Sequence, residues 1–169
     1  MADSRPLVIL IGAPGAGKTK IGKRLSRILG VEFIDTDKRI VASHGPIAAI
    51  FSRDGERYFR ALERAEVVRA LSKPAIVAFG GGAVLDEETQ KDLSGHRVVQ
   101  VSVSPEAVAS RLRGSKRPLV ANGVEDWKAL VAVRAPIYDA LASRTVDTSH
   151  TSLDSIAAEL AAWIIKDTA

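Results

Sequence analysis

The segment Gly12-Ala-Pro-Gly-Ala-Gly-Lys-Thr19 has the residue types and the spacing that bind the phosphates of a nucleotide. It matches the pattern G-x-x-x-x-G-K-T at every fixed position, between an apolar run and a helix-like stretch. Its glycines allow a tight turn that brings several N–H groups into one concavity, at the positive end of the following helix. Lys18 adds a cation for the outer phosphates, and Thr19 offers a hydroxyl to a magnesium ion that the phosphates also hold. The segment therefore predicts a nucleotide site rather than a plain glycine-rich turn.

Two carboxylates, Asp35 and Asp37, follow the second apolar segment of the chain. In an extended segment, a spacing of two residues directs both side chains to the same side. One carboxylate could then face the metal ion while the other faces a hydroxyl group of a substrate. The pair is therefore a candidate both for holding magnesium and for binding a phosphoryl acceptor.

Three arginines, Arg57, Arg60 and Arg64, lie in a segment that predicts a helix. Arg60 and Glu63 are three residues apart, so they are neighbours on one helix face. An arginine that is oriented by a glutamate can hold a substrate carboxylate with two parallel hydrogen bonds. For Arg57 and Arg64 we prefer the interpretation of an exposed, charged helix surface.

Three further features could bind or close over small ligands. Gly80-Gly-Gly82 ends a strongly apolar strand, where glycines permit close approach of the backbone to a ligand, although a plain loop is the alternative. Arg117 lies in a segment, about residues 113–125, that predicts a mobile lid, and a lid arginine can neutralise a transferring phosphoryl group. Arg134 precedes Pro136, which predicts a kink or break in a helix, and by itself would be unremarkable.

The elements that must position these residues alternate along the chain. Short apolar runs alternate with amphipathic stretches, which predicts a parallel α/β sheet. The predicted strands are residues 7–11, 32–34, 75–79, 98–103 and 145–147. The predicted helices are residues 18–29, 46–52, 56–71, 87–93, a stretch that starts near 105, 125–141 and 152–165. Because ligands bind beyond the carboxyl ends of parallel strands, the loops with Lys18, Asp37, Gly80-Gly-Gly82 and residues 148–151 should gather at one edge.

Composition limits the classes of protein that remain. The 169 residues, 46% of them apolar, suit one domain, residues 1–169, with its own core. There are no cysteines, which excludes disulfides and thiolate zinc sites. The chain does not start like a signal peptide and has no apolar run near the roughly 20 residues of a membrane span, so we expect a cytoplasmic protein without membrane contact. The net charge of +4 comes from dispersed basic residues, and aromatics are only 5%, which favours a pocket for anions over nucleic acid.

Two large classes of nucleotide-binding protein do not fit. A GTPase reads guanine with an Asn-Lys-x-Asp run, but the one asparagine, Asn122, is followed by Gly-Val-Glu. A typical ATPase of this kind ends an apolar strand with an aspartate that holds magnesium, whereas the strand predicted at residues 75–79 ends in glycines. A kinase acting on a small molecule remains the favoured class. A nucleotide-binding module without catalysis, for sensing or scaffolding, is the alternative from another class.

The ordered set of motifs resembles the shikimate kinase family over most of the chain. Six features carry the resemblance: residues 12–19, Asp35-Thr-Asp37, Asp54-Gly-Glu56 with Phe59-Arg60 and Glu63, Gly80-Gly-Gly82, Arg117-Pro-Leu119, and Arg134-Ala-Pro-Ile-Tyr138. The resemblance implies an α/β fold of the nucleoside-monophosphate-kinase group of P-loop kinases, with a five-stranded parallel sheet in the order 2-3-1-4-5, flanking helices and a mobile lid. It also implies transfer of the γ-phosphoryl group of ATP to the 3-hydroxyl of shikimate, a step of chorismate and aromatic amino-acid biosynthesis, by a monomer that uses Mg²⁺.

The same resemblance assigns a role to each candidate residue. The implied catalytic residues are Lys18, Asp37 and Arg117. The implied shikimate contacts come from the helices at about residues 36–64 and from later loops: Asp37, Arg60, Glu63, Gly80, Gly81, Gly82 and Arg134. The implied ATP contacts are Gly15, Ala16, Gly17, Lys18, Thr19, Lys20, Arg111 and Arg117. Thr19 would hold magnesium directly, with Asp35 acting through water.

Some positions stay open within this interpretation. Where the family often has a basic residue near the adenine, residues 148–151 offer His150 and no arginine. We interpret Trp127 and Trp163 as packing residues. Another kinase of the same fold, such as a gluconate kinase, is the closest alternative function.

Overall fold

Five short apolar runs form one parallel sheet in the computed structural model, which describes residues 3–113 and 117–169. The strands lie in the order β2-β3-β1-β4-β5, which confirms the predicted order. Their bounds are β1 Val8–Ile11, β2 Phe33–Asp35, β3 Ile76–Ala78, β4 Val98–Ser102 and β5 Arg144–Asp147. Part of the predicted lid, residues 114–116, lies outside the described residues.

The central strand β1 fixes the register of the sheet. Val8 lies opposite Ile76 of β3, and Ile9 lies opposite Val98 of β4. All four residues of β1 are buried, because helices cover both faces of a parallel sheet. Alternate residues of a strand point to opposite faces. Val8 and Leu10 accordingly belong to one hydrophobic cluster, and Ile9 belongs to another.

Eight helices connect and cover the strands within the described parts of the chain. They are α1 Lys18–Leu29, α2 Thr36–His44, α3 Ile47–Asp54, α4 Glu56–Ala70, α5 Glu87–Asp92, α6 Pro105–Leu112, α7 Val124–Leu141 and α8 Leu153–Thr168. Single turns of 3₁₀-helix occur at Ala83–Leu85 and Pro118–Val120. None of these helices is long and apolar enough to cross a membrane.

One local prediction was wrong, and one alternative of another is excluded. Asp35 and Asp37 do not lie in one extended segment, because the Asp35 carboxylate accepts a hydrogen bond from the Lys38 N–H and starts helix α2. Asp37 therefore lies in the first helical turn, where its spacing from Asp35 follows helix geometry. Of the kink or break predicted at Pro136, the break is excluded, because helix α7 continues to Leu141.

The loops after the strands gather at the carboxyl edge of the sheet, as predicted. The turn after β1 carries residues 12–17, β2 is followed by Asp37, and β3 is followed by the three glycines. Thr148 follows β5 and donates to the carbonyl of Ala16 over 2.6 Å. This edge of the sheet therefore holds the groups that the sequence predicts to do chemistry.

Candidate active site

One cavity of about 900 Å³ opens at this edge of the sheet. With one exception, the predicted site residues all line it. The exception is Ala16, which is fully buried behind the phosphate-binding turn. The predicted residues that line the cavity are Gly15, Gly17, Lys18, Thr19, Lys20, Asp35, Asp37, Arg60, Glu63, Gly80, Gly81, Gly82, Arg111, Arg117 and Arg134.

The phosphate loop, which we define as residues 12–17, depends on glycine for its shape. Gly12 has a φ of 141°, and a Cβ atom there would lie 2.2 Å from the carbonyl oxygen of Val101. Gly17 has a φ of 108° and forms the start of α1. Among the described residues, the N–H groups of Gly15, Gly17, Lys18 and Thr19 have no hydrogen-bond acceptor. These donors are therefore available to an anion at the start of the helix.

Lys18 folds back over the loop. Its ammonium group donates to the carbonyl oxygen of Gly12 over 2.5 Å and to that of Ala13 over 2.9 Å. Burial lowers the pKa of Lys18 to about 8, and the negative charges of Asp37 and Asp35 oppose this shift. The ammonium group therefore remains mostly protonated at pH 7, although the side chain is buried.

Thr19 and Asp35 form an oxygen-donor pair beside the loop. The Thr19 hydroxyl donates to the carboxylate of Asp35 over 2.6 Å. Hydroxyl and carboxylate oxygens are the ligands that Mg²⁺ prefers, together with water and substrate phosphates. The described residues contain no group of three or more His, Cys, Asp or Glu side chains that could hold a metal ion. The pair offers two oxygen groups to a Mg²⁺ ion, which usually keeps several waters and also binds substrate phosphates.

Asp37 carries a buried oxygen atom that is left without a partner. Its Oδ1 atom has no hydrogen bond within the described parts of the chain. Burial raises the pKa of Asp37, and the nearby negative charge of Asp35 raises it further, while Lys18 opposes the shift. A buried carboxylate oxygen without a donor is costly unless a ligand supplies one. The Oδ1 atom of Asp37 is therefore suited to accept a hydrogen bond from a hydroxyl group of a ligand.

Arg60 is held by Glu63, as the sequence predicts. The guanidinium donates to the Glu63 carboxylate over 2.8 Å, and Glu63 is only 3% exposed. Burial raises the pKa of Glu63 to about 7, although the positive charge of Arg60 opposes the shift. Glu63 thus fixes the direction of Arg60 from beneath, and the remaining donors of the guanidinium stay available to a ligand.

Arg134 is the second cation on this side of the cavity and is 5% exposed. Tyr138, one turn further along α7, donates its hydroxyl to the carbonyl oxygen of Gly81 over 2.5 Å. Burial raises the pKa of Tyr138, and the positive charge of Arg134 opposes that shift. The helix α7 therefore positions both a guanidinium and a support for the glycine triplet.

Each glycine of the triplet makes room for one charged side chain. A Cβ atom on Gly80 would lie 2.3 Å from Asp37, and one on Gly82 would lie 2.4 Å from Arg60. A Cβ atom on Gly81 would lie 3.3 Å from the guanidinium of Arg134. The three glycines thus bring a carboxylate and two guanidinium groups together around one backbone segment. No spacing rule along the sequence predicts this arrangement.

The remaining predicted cations have distinct surroundings. Arg111 donates to the carbonyl of Gly15 over 3.0 Å and to that of Thr148 over 3.0 Å. Arg117 lines the cavity, where its charge affects both Lys18 and Asp37. Arg64 does not line the cavity; it is partly buried and forms an ion pair with Asp92 of α5 over 2.6 Å, so it is not simply part of an exposed helix surface.

Several site residues were missed or given no role from the sequence. The Thr36 hydroxyl accepts a hydrogen bond from the N–H of Gly80 over 3.1 Å and so anchors the glycine triplet. Phe51 and Phe59 line the same cavity, and their ring centroids are 5.2 Å apart. The position of Thr36 between the two aspartates could have been a signal. The two phenylalanines are indistinguishable from core residues in the sequence alone.

Comparisons with known proteins agree with this geometry. A family model described as shikimate kinase matches residues 14–165. The chain is 49% identical to the shikimate kinase of Thermobifida fusca, over 95% of each chain. It is 48% identical to that of Salinispora tropica, over 94% of this chain and 98% of the relative.

Solved structures give the same result. The shikimate kinase from Acinetobacter baumannii in complex with shikimate superimposes with a TM-score of 0.88 at 31% identity, covering 96% of this chain and 94% of that one. A gluconokinase from Sinorhizobium meliloti, at 18% identity and a TM-score of 0.57, shares the fold alone. The chain therefore belongs to the shikimate kinase family.

Proposed function

We propose that the protein transfers the γ-phosphoryl group of ATP to the 3-hydroxyl of shikimate, which gives shikimate 3-phosphate and ADP. One observation carries the proposal. The cavity that contains the phosphate loop also contains a buried carboxylate and two guanidinium groups around a glycine triplet. This arrangement suits a small acceptor that has both a carboxylate and hydroxyl groups.

The two arginines are proposed to bind the carboxylate of shikimate. Arg60 is directed by Glu63, and Arg134 is buried close to Gly81. Guanidinium groups match carboxylates with pairs of parallel hydrogen bonds. This interaction would fix the orientation of the acceptor as well as its affinity.

Asp37 is proposed to orient the attacking hydroxyl. Its unpartnered Oδ1 atom would accept a hydrogen bond from that hydroxyl. The loose transition state of phosphoryl transfer places little demand on proton removal before attack. A raised pKa, in the direction that burial produces, also suits a group that takes the proton at the end of the transfer.

Lys18 and Arg117 are proposed to stabilise the negative charge of the transferring group. Lys18 hydrogen-bonds two loop carbonyls, and an anion at the start of α1 offers its ammonium group a stronger partner. Arg117 contributes positive charge to the same space. The predicted lid at about residues 113–125, which includes Arg117, stays a prediction.

Thr19 and Asp35 would hold Mg²⁺ when nucleotide is bound, Thr19 directly and Asp35 through water. The ion would neutralise charge on the β- and γ-phosphate oxygens of ATP. A monomeric state and a cytoplasmic location are further proposals, which follow the resemblance noted above.

An acceptor panel tests the proposed function. ADP formation is measured with shikimate, with the neutral methyl ester of shikimate and with gluconate, and the site of phosphorylation is read by ³¹P and ¹H NMR. We expect phosphorylation of shikimate at the 3-hydroxyl, a kcat/KM for the ester lower by about a hundredfold because the carboxylate is masked, and no useful rate with gluconate. A preference for gluconate would instead assign the gluconate kinase activity.

A further inference from the structure

The carbonyl groups of the phosphate loop are bonded by side chains from several elements. Every carbonyl group of residues 12–16 accepts at least one side-chain hydrogen bond. The donors are Lys18 for Gly12 and Ala13, Trp127 for Pro14, Arg111 for Gly15, and Thr148 together with Arg111 for Ala16. While these carbonyls are bonded, the N–H groups of Gly15 and Gly17 have no acceptor among the described residues.

Trp127 differs from the two charged donors, Lys18 and Arg111. Its indole N–H donates to the Pro14 carbonyl over 2.9 Å across 113 positions of sequence, and the side chain is 3% exposed. Lys18 and Arg111 line the cavity and carry charges that a nucleotide can attract. Trp127 does not line the cavity, and its ring packs in the core cluster beneath the loop. Its role at the loop is therefore limited to this one hydrogen bond and to packing.

The bonded carbonyl lies at the centre of a turn with two accessible forms. The Ala16 N–H donates to the Ala13 carbonyl over 3.2 Å, which closes a four-residue turn with Pro14 and Gly15 at its centre. Gly15 has a φ of 78°, the value of a type II turn. A type I turn of the same residues differs by rotation of the central peptide unit, and glycine accepts both forms.

Rotation of that peptide unit would change the donor that faces the phosphates. Because the peptide unit is planar and trans, the Pro14 C=O and the Gly15 N–H point in opposite directions. Holding the carbonyl outward, toward α7, therefore holds the N–H of Gly15 toward the cavity. In the other form the carbonyl dipole would face the phosphates and repel them.

We propose that Trp127 is a positioning residue for ATP, whose indole N–H selects the type II form of the turn at residues 13–16 and so directs the Gly15 N–H at the phosphates. This inference rests on the proposed function only in taking the loop to bind ATP. It assigns to Trp127 a role in nucleotide affinity that packing alone would not give it.

The test compares Trp127→Phe with Trp163→Phe as the matched control. Trp163 lies on α8, and its ring centroid is 5.4 Å from the guanidinium carbon of Arg144. Arg144 is the first residue of β5, so this contact lies at the sheet edge opposite to the cavity. Calorimetry measures the dissociation constants of Mg²⁺-ADP and of shikimate for each variant. We expect Trp127→Phe to weaken ADP binding by roughly three- to tenfold, the worth of one hydrogen bond, with unchanged shikimate affinity. Trp163→Phe should leave both constants unchanged.

A second variant separates the hydrogen bond from packing if the phenylalanine protein does not fold. Replacement of Trp127 by 3-benzothienylalanine keeps the shape of the indole and removes only its N–H donor. The same loss of ADP affinity is expected, and the KM for ATP should rise with little change in the KM for shikimate. Unchanged ADP affinity in the isostere would overturn the proposal. Wild-type protein that binds ADP but does not phosphorylate shikimate would refute the proposed function, while the ADP comparison would still decide the role of Trp127.

Discussion

The two halves of the cavity offer different kinds of chemical group to a ligand. The nucleotide half, residues 12–19, uses backbone groups, and its carbonyls are bonded by side chains of the same chain. The half that would bind the phosphoryl acceptor, with Asp37, Arg60 and Arg134, uses charged side chains. The Oδ1 atom of Asp37 has no hydrogen-bond partner among the described residues. The direction of backbone N–H donors is set by the conformation of the loop. The energy and the protonation of a buried charged side chain depend on its partners and on pH. Substitutions in the acceptor half should therefore have large and ligand-specific effects.

The largest expected effect follows removal of the Asp37 charge. Asp37→Asn should lower kcat by about a thousandfold, because it removes both the acceptor of the hydroxyl proton and part of the orientation of shikimate. The dissociation constant of Mg²⁺-ADP should stay the same. Steady-state kinetics and calorimetry measure the two quantities. Asp139→Asn, an exposed position on α7, is the charge-matched control, and an unchanged kcat in Asp37→Asn would refute the assigned role.

The next largest effect concerns the carboxylate clamp. Arg134→Ala should raise the dissociation constant of shikimate by about a hundredfold, because a buried charge pair loses one partner. ADP affinity should change little. Arg57→Ala, on the exposed side of α4, provides the control for loss of a positive charge. Equal loss of affinity for both ligands would contradict the clamp and indicate general damage to the fold.

The pH dependence of stability should identify Glu63 as a buried acid. Its pKa is raised from 4.5 in the reference state to about 7 in the folded protein, mainly by burial. The folded state therefore binds more protons in this window, and the free energy of unfolding should fall as the pH rises from 4.5 to 7. Asp37 contributes with the same sign, so the comparison uses Glu63→Gln.

In Glu63→Gln the decrease in the free energy of unfolding between pH 4.5 and 7 should be smaller than in the wild type by about 2 kcal/mol. Urea unfolding at several pH values measures it. Glu88→Gln, whose side chain is exposed on α5, is the control and should keep the wild-type pH profile. A wild-type slope in Glu63→Gln would mean that Glu63 has an ordinary pKa in the folded protein.

The smallest expected effect comes from the glycine triplet. A Cβ atom at position 82 would lie 2.4 Å from the Arg60 guanidinium, whereas one at position 81 would meet Pro14 at 3.1 Å. Gly82→Ala should therefore displace Arg60 and raise the KM for shikimate by roughly fivefold, with the KM for ATP unchanged. Gly81→Ala should have a weaker effect in the same assay. The reverse order would show that the triplet does not act through Arg60.

The nucleotide half could be predicted from the sequence because it is one contiguous segment. The glycines and Lys18 of residues 12–19 form one recognisable motif, so the sequence pattern indicates the turn even though distant side chains also bond its carbonyls. The boundaries of the strands and most helices also followed from the apolar periodicity. The local pattern does not predict helix α2, because it places Asp35 in an extended segment and not at a helix cap; only the family resemblance implies helices at about residues 36–64.

The acceptor half could not be derived in the same way. Its charged groups come from separate segments, α2, α4 and α7, and from the sequence only the family resemblance implies that they meet. Contacts between residues far apart in the sequence could not be predicted either. The sequence indicates a packing role for Trp127 but not its hydrogen bond to the Pro14 carbonyl. Such contacts depend on the tertiary structure, which local patterns do not encode.

The most direct test of the central claim is the rate of ADP formation from Mg²⁺-ATP with and without shikimate. If the two halves of the cavity place the acceptor beside the γ-phosphoryl group, ADP formation should depend on shikimate and yield one shikimate 3-phosphate for each ADP. ADP formation that shikimate does not change, in protein that binds both ligands, would contradict the account.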